Sequence, residues 1–114
     1  MAELHPLLAR ASQLRGHALE RLETLVMKES PSGERELLAR VADDLQRGYE
    51  GVGALVTRDP GPHGDHLVCS WPGESDAGHV LLIGHHDTVL PAGTISARPF
   101  ALEDDVLTGP GVFD

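Results

Sequence analysis

Apolar residues recur every three or four positions near the start of the chain, at Leu7, Ala11, Leu14, Ala18, Leu22 and Leu25. That period puts them on one stripe of a long amphipathic helix, predicted over Leu7–Lys28. Arg10, Arg15, Glu20, Arg21 and Glu23 fall mostly off the stripe, and Gly16 weakens it slightly. The segment Glu29-Ser-Pro-Ser-Gly33 breaks the pattern, because Pro31 disfavours helical backbone at Ser30. Ser32 is then the expected N-cap of a second helix over Glu34–Gln46. Leu37, Leu38, Val41 and Leu45 share its inner face, and Gly48 is the expected stop.

Beyond Gly48 the period shortens. Ala54–Thr57 and His66–Trp71 read as short strands separated by the turn-rich loop Asp59–Asp65. His79–Ile83 is a continuous apolar run after its first residue, the pattern of a strand buried on both faces. Pro91–Pro99 is expected to be irregular, and Phe100–Leu107 to form an edge hairpin. Two helices followed by strands predict an α/β layer architecture. There is no internal repeat.

Composition narrows the classes. A chain of 114 residues is long enough for one modest domain. Hydrophobic residues at 40% and charged residues at 24% match folded rather than disordered chains. With only Tyr49, Trp71, Phe100 and Phe113 as aromatics, the core has to be aliphatic. The formal charge of −9 repels phosphate backbones and argues against nucleic-acid partners. No segment approaches the ~18 consecutive apolar residues of a membrane span, and no basic-then-apolar leader opens the sequence. Cys69 is alone, so no internal disulfide forms; a reducing, cytoplasmic setting is expected.

The strongest chemical signal is His85-His86-Asp87, directly after the apolar run. Ligands of open α/β sheets bind beyond the carboxyl ends of strands. Alternation along an extended backbone puts His85 and Asp87 on one side and His86 on the other. A neutral imidazole ligates zinc, and an adjacent carboxylate fixes its tautomer and raises its basicity. By itself a His-x-Asp triplet is also compatible with a structural role. His17, His63, His66 and His79 lack any such context, and Gly109–Gly111 alone reads as an ordinary turn.

Other segments extend the pattern. Val80–Val89 combines an apolar strand with His-x-Asp-Thr-Val, and Pro99-Phe100 lies in the loop that follows. Asp105, Gly109, Gly111 and Asp114 form an acidic turn and a Gly-x-Gly-x-x-Asp. Glu29–Glu34 and Asp65–Val68 add an early Ser-Pro-Ser-Gly break and an Asp-His-Leu-Val strand. In that order, over nearly the whole chain, these segments resemble the M20 family of zinc metallopeptidases, the glutamate carboxypeptidase and aminoacylase group. His66 stands where that family usually has Asn, and the wording around His85 and Pro99-Phe100 is closest to glutamate carboxypeptidases.

The resemblance implies an α/β fold, the N-terminal part of a three-layer zinc-peptidase (phosphorylase/hydrolase-like) catalytic domain spanning residues 1–114. The C-terminal half and the dimerisation domain would lie outside it, and a homodimeric full-length form stays open. It implies that His85 ligates one zinc, that Asp114 bridges two, and that Asp87 is the catalytic-site acid orienting His85, with no metal role for His86. The implied activity is carboxypeptidase-type hydrolysis of an amide next to a free carboxylate, in a peptide or an N-acyl amino acid. The family's Glu base and remaining ligands follow the position of Asp114, so this chain alone is expected to hold at most a partial zinc site, to expose apolar sheet, and to be inactive. Two other readings stay open: a non-catalytic interaction or zinc-binding module of the same fold, and a plain α/β domain with surface histidines.

Overall fold

A computed structural model describes residues 5–113. The N-terminal stripe is realised as two consecutive helices, α1 (Pro6–Gln13) and α2 (Arg15–Lys28), rather than one. His5 caps α1 through its ring Nδ1, and Pro6 sits in the first turn, where no N–H is needed. At Leu14 the amide is shared between the carbonyls of Arg10 and Ala11, a local tightening at the junction of the two helices. Only the C-terminal end of the stripe packs: Leu22 and Leu25 are half-buried, beside Val26, which lies off the predicted stripe and is buried, while Leu7, Ala11, Leu14 and Ala18 face solvent.

The third helix, α3 (Arg35–Gly51), buries Leu38, Val41 and Ala42. It runs through Gly48 instead of stopping there. A Cβ at Gly48 would lie 2.8 Å from the Arg21 guanidinium, so the absent side chain opens a passage. Arg21 uses it to reach both the carboxylate and the carbonyl of Asp44, tying α2 to α3. Ser32 does not cap α3: Glu34 occupies that position and makes no side-chain cap.

Strands β1 (Leu55–Pro60) and β2 (Asp65–Ser70) form an antiparallel hairpin, in register from Leu55 opposite Ser70 to Pro60 opposite Asp65. Alternate side chains turn inward, and α3 packs across that face. Arg58 locks the hairpin to the helix. Its guanidinium reaches Asp65 across the ladder at 2.8 Å and Asp43 on α3, and these partners raise its pKa, Asp43 foremost. Trp71 donates its indole N–H to the Val52 carbonyl and meets Tyr49 edge to face at 5.9 Å. The expected second hairpin forms from β3 (Ala101–Glu103) and β4 (Val106–Thr108). Asp104 and Asp105 both take positive φ, as a tight two-residue hairpin turn requires.

One expectation fails. His79–Ile83 is not a strand, and it is not buried. Val80, Leu81, Leu82 and Ile83 are 88%, 75%, 89% and 88% exposed. The physical reason is the lack of a ladder: among the described residues, the strands form two separate two-stranded sheets, and neither extends to this run. Apolar character supplies the tendency to be buried, but a strand also needs a neighbour for its amides and carbonyls. The exposure is visible in the dimensions. The radius of gyration is 16.4 Å, against roughly 13 Å for a tightly packed domain of this length. The described architecture is thus a mixed helix and strand domain with a helix-backed hairpin at its centre, compatible with α/β. A short helical turn, α4 (Thr94–Ala97), interrupts the segment expected to be irregular.

Candidate active site

The His85–Asp87 segment is held by the linker between α2 and α3, not by the end of a strand. The Thr88 amide donates to the Ser30 carbonyl at 2.7 Å, and the Ser32 amide donates to the Thr88 carbonyl at 2.8 Å. These two bonds form an isolated parallel bridge between Pro31 and Thr88. Pro31 suits this position, because it leaves the helical pattern and fixes the linker in extended backbone. The side chains complete the clamp. The Ser30 hydroxyl, buried, donates to the His86 carbonyl at 2.5 Å. The Ser32 hydroxyl donates to the Asp87 carboxylate at 2.7 Å and lies 3.1 Å from the Thr88 carbonyl.

Within this frame the alternation predicted for the triplet holds. The His85 Nδ1 lies 3.2 Å from one Asp87 carboxylate oxygen and 2.9 Å from the Asp87 carbonyl. Both neighbours accept, so Nδ1 carries the proton, and the lone pair resides on Nε2. His85 and Asp87 are each about half exposed, at 54% and 48% of their side chains. The Ser32 hydroxyl is the main cause that holds the Asp87 carboxyl below its ordinary range, and His85 adds to it. His86 is half-buried. Desolvation pushes its imidazole pKa down, which the Asp87 charge only partly offsets.

A small cavity of about 210 Å³ adjoins the triplet. Leu22, Leu25 and Val26 of α2 form its apolar wall, and His85, His86 and Asp87 form another. Pro110 and Gly111 close it from the C-terminal side, so the Gly-Pro-Gly turn and the His-x-Asp triplet, far apart in sequence, share one cavity. Asp114, the second expected metal ligand, lies outside the described residues. Among the described residues no group of three or more His, Cys, Asp and Glu is arranged to hold a metal ion. His85 therefore fits a metal as one ligand, through Nε2, and the described residues do not supply a complete set.

Pattern reading passed over the residues that build the clamp. Glu29 takes a positive φ of 50°, unusual for a residue with a side chain. Its carboxylate accepts from the Gly93 and Ile95 amides, each at 2.8 Å, and so fastens the loop that follows the triplet. The sequence signal was present in Glu29-Ser-Pro-Ser-Gly, where two hydroxyls and an acid flank a proline in a linker. Their partners lie more than 50 residues away, as with Ser32 and Asp87 at a separation of 55.

The fold and this geometry define a mixed helix and strand domain carrying a serine–aspartate–histidine chain beside a small, mostly apolar cavity. No family model matches the chain. Over 99 residues it is 32% identical to carboxypeptidase G2 of Pseudomonas sp. (strain RS-16). That alignment covers 84% of this chain and 24% of the relative, so the chain spans about a quarter of the length of the curated relative it matches. The similarity is a distant, carboxypeptidase-like relationship. No described helix is long and apolar enough to cross a membrane.

Proposed function

We propose that this chain is the N-terminal part of the catalytic domain of a zinc-dependent, M20-type metallopeptidase, and that the assembled enzyme cleaves an amide next to a free carboxylate. A C-terminal glutamyl peptide or an N-acyl amino acid is the substrate class. The observation that carries the reading is the contact of His85 Nδ1 with Asp87, 3.2 Å, in a chain 32% identical to a carboxypeptidase. In it Asp87 holds the proton at Nδ1, so that Nε2 is the ring atom that would meet a metal. His85 is then one zinc ligand and Asp114 the bridging carboxylate. Zinc bound there would polarise the scissile carbonyl and lower the pKa of water. The ionised Asp87 raises the basicity of the ring without itself binding metal.

Zinc titration of the 114-residue chain by calorimetry tests this. Weak binding is expected, because catalytic zinc ordinarily needs about three protein ligands. His85→Ala should abolish it, and Asp87→Asn should weaken it by about 10–100-fold, the usual effect of losing a carboxylate behind a ligating histidine. Unchanged binding in His85→Ala would remove the basis of the assignment. Assayed alone with a glutamyl peptide, the chain should show no turnover; zinc-dependent hydrolysis at an enzymatic rate would contradict the partial-site reading.

A second reading, a non-catalytic interaction module, is favoured by the exposed run Val80–Ile83. The zinc titration separates the two, since an interaction surface there requires nothing of His85.

A further inference from the structure

We infer that Ser32 is a positioning residue for the His85–Asp87 pair: its hydroxyl fixes the rotamer of Asp87, and Asp87 so fixed selects the Nδ1–H tautomer of His85. The inference deepens the reading above and rests on it for its functional consequence, that the ring presents Nε2 to a metal. The geometry beneath it stands apart from any metal.

The linker backbone already brings the triplet into place. The bridge between Ser30, Ser32 and Thr88 is made by amides and carbonyls alone, at 2.7 and 2.8 Å. It brings the triplet to the linker without using the Ser32 hydroxyl. That hydroxyl has one proton to give, and the shorter of its two contacts is the Asp87 carboxylate, at 2.7 Å against 3.1 Å for the Thr88 carbonyl. A bond from a hydroxyl to a carboxylate is charge-assisted and among the stronger side-chain bonds.

Ser32 bonds Oδ2 of Asp87 while His85 Nδ1 meets Oδ1, so the two oxygens of one carboxylate are held from opposite ends. Rotating Asp87 away from His85 would break the Ser32 bond. Ser32 acts on the Asp87 carboxylate more strongly than the residue's own amide or His85 does, and the carboxylate is 48% exposed, so without Ser32 water would compete for its oxygens. Ser32 is solvent-facing and does not cap α3, so neither packing nor helix termination accounts for its hydroxyl.

The test is nuclear magnetic resonance on the isotope-labelled, metal-free 114-residue chain near pH 8. Ring ¹⁵N shifts give the His85 tautomer, and three-bond couplings give the Asp87 χ1 population. The parent should show Nδ1–H and a single χ1 rotamer. Ser32→Ala should average the rotamer and lower the ratio of Nδ1–H to Nε2–H by about fivefold, the net worth of one ordinary solvent-exposed hydrogen bond. The Ser32 and Thr88 amides should stay protected from exchange, since their bridge does not use the hydroxyl.

Ser32→Thr should restore both signals, and Ser32→Val, equal to Thr in shape, should not. This Thr/Val pair keeps the test decisive if the alanine variant folds poorly. A single Asp87 rotamer and an unshifted tautomer in Ser32→Ala or Ser32→Val would overturn the inference, as would failure of Thr to rescue. Because no metal is present, these outcomes are independent of whether His85 binds zinc.

Discussion

Leu38 and Leu82 belong to runs that the hydrophobic pattern marks alike as core, yet their surroundings predict opposite responses to truncation. Leu38 on α3 is 4% exposed and Leu82 is 89% exposed. Truncating a buried leucine to alanine costs about 2–5 kcal/mol, from the lost transfer term plus the cavity left behind. At Leu82 almost none of the side chain is withdrawn from water and no cavity forms, so the change should stay within about 0.5 kcal/mol. With a urea slope of about 2 kcal/mol/M, Leu38→Ala should lower the unfolding midpoint by roughly 1–2.5 M and Leu82→Ala by less than about 0.3 M. The core is narrow: Val26, Leu38, Val41, Ala42 and Ala54 are its buried hydrophobics among the described residues. Leu38→Ala therefore removes a large part of a stability that is about 5–15 kcal/mol even in well-packed domains. Far-UV circular dichroism against urea reads both variants. A loss above about 1.5 kcal/mol in Leu82→Ala, well outside the surface range, would show that the run is covered and that the argument from the missing ladder is wrong.

Glu29→Gln should loosen the loop after the triplet. One amide oxygen can replace only one of the two carboxylate acceptors, so exchange of the Gly93 and Ile95 amides should quicken by about fivefold for a loss near 1 kcal/mol; unchanged exchange would contradict the clamp. Stability should also fall on acidification in two stages. The folded-state pKa values of His86 and Asp87 are both lowered, so the unfolded chain binds protons more readily at each. The His86 contribution is intact above its ordinary value near 6.5 and is lost as pH falls through the lower folded value. The Asp87 contribution is intact above 3.8 and is lost as pH falls below that. Urea midpoints measured from pH 8 to pH 3 check this: His86→Asn should flatten the first stage and Asp87→Asn the second, and a profile unaffected by either would refute the assignment.

Much of the chain was legible because its signals are local. The period of Leu37, Leu38 and Val41 marks α3, and Ser30-Pro31 marks the break before it. The apolar run that ends at Trp71 marks β2, with a one-residue difference at each boundary. The pairing of His85 with Asp87 follows from alternation along an extended segment, which needs no tertiary information. The double-aspartate turn of the second hairpin is equally local.

The rest required the third dimension. Gly48 looked like a helix stop, but its lack of a side chain serves the passage of Arg21 toward Asp44. Ser32 looked like a cap, but its hydroxyl goes to Asp87. Val80–Ile83 looked like a strand buried on both faces, yet it has no paired neighbour among the described residues. The sequence by itself determined where the two helical segments before Val52, the short strands and the His85–Asp87 pair fall, because each depends on residues a few positions apart. Tertiary structure alone decided what anchors that pair and which apolar residues are buried. Those outcomes depend on which distant groups arrive to accept a proton or exclude water, and no local period encodes that.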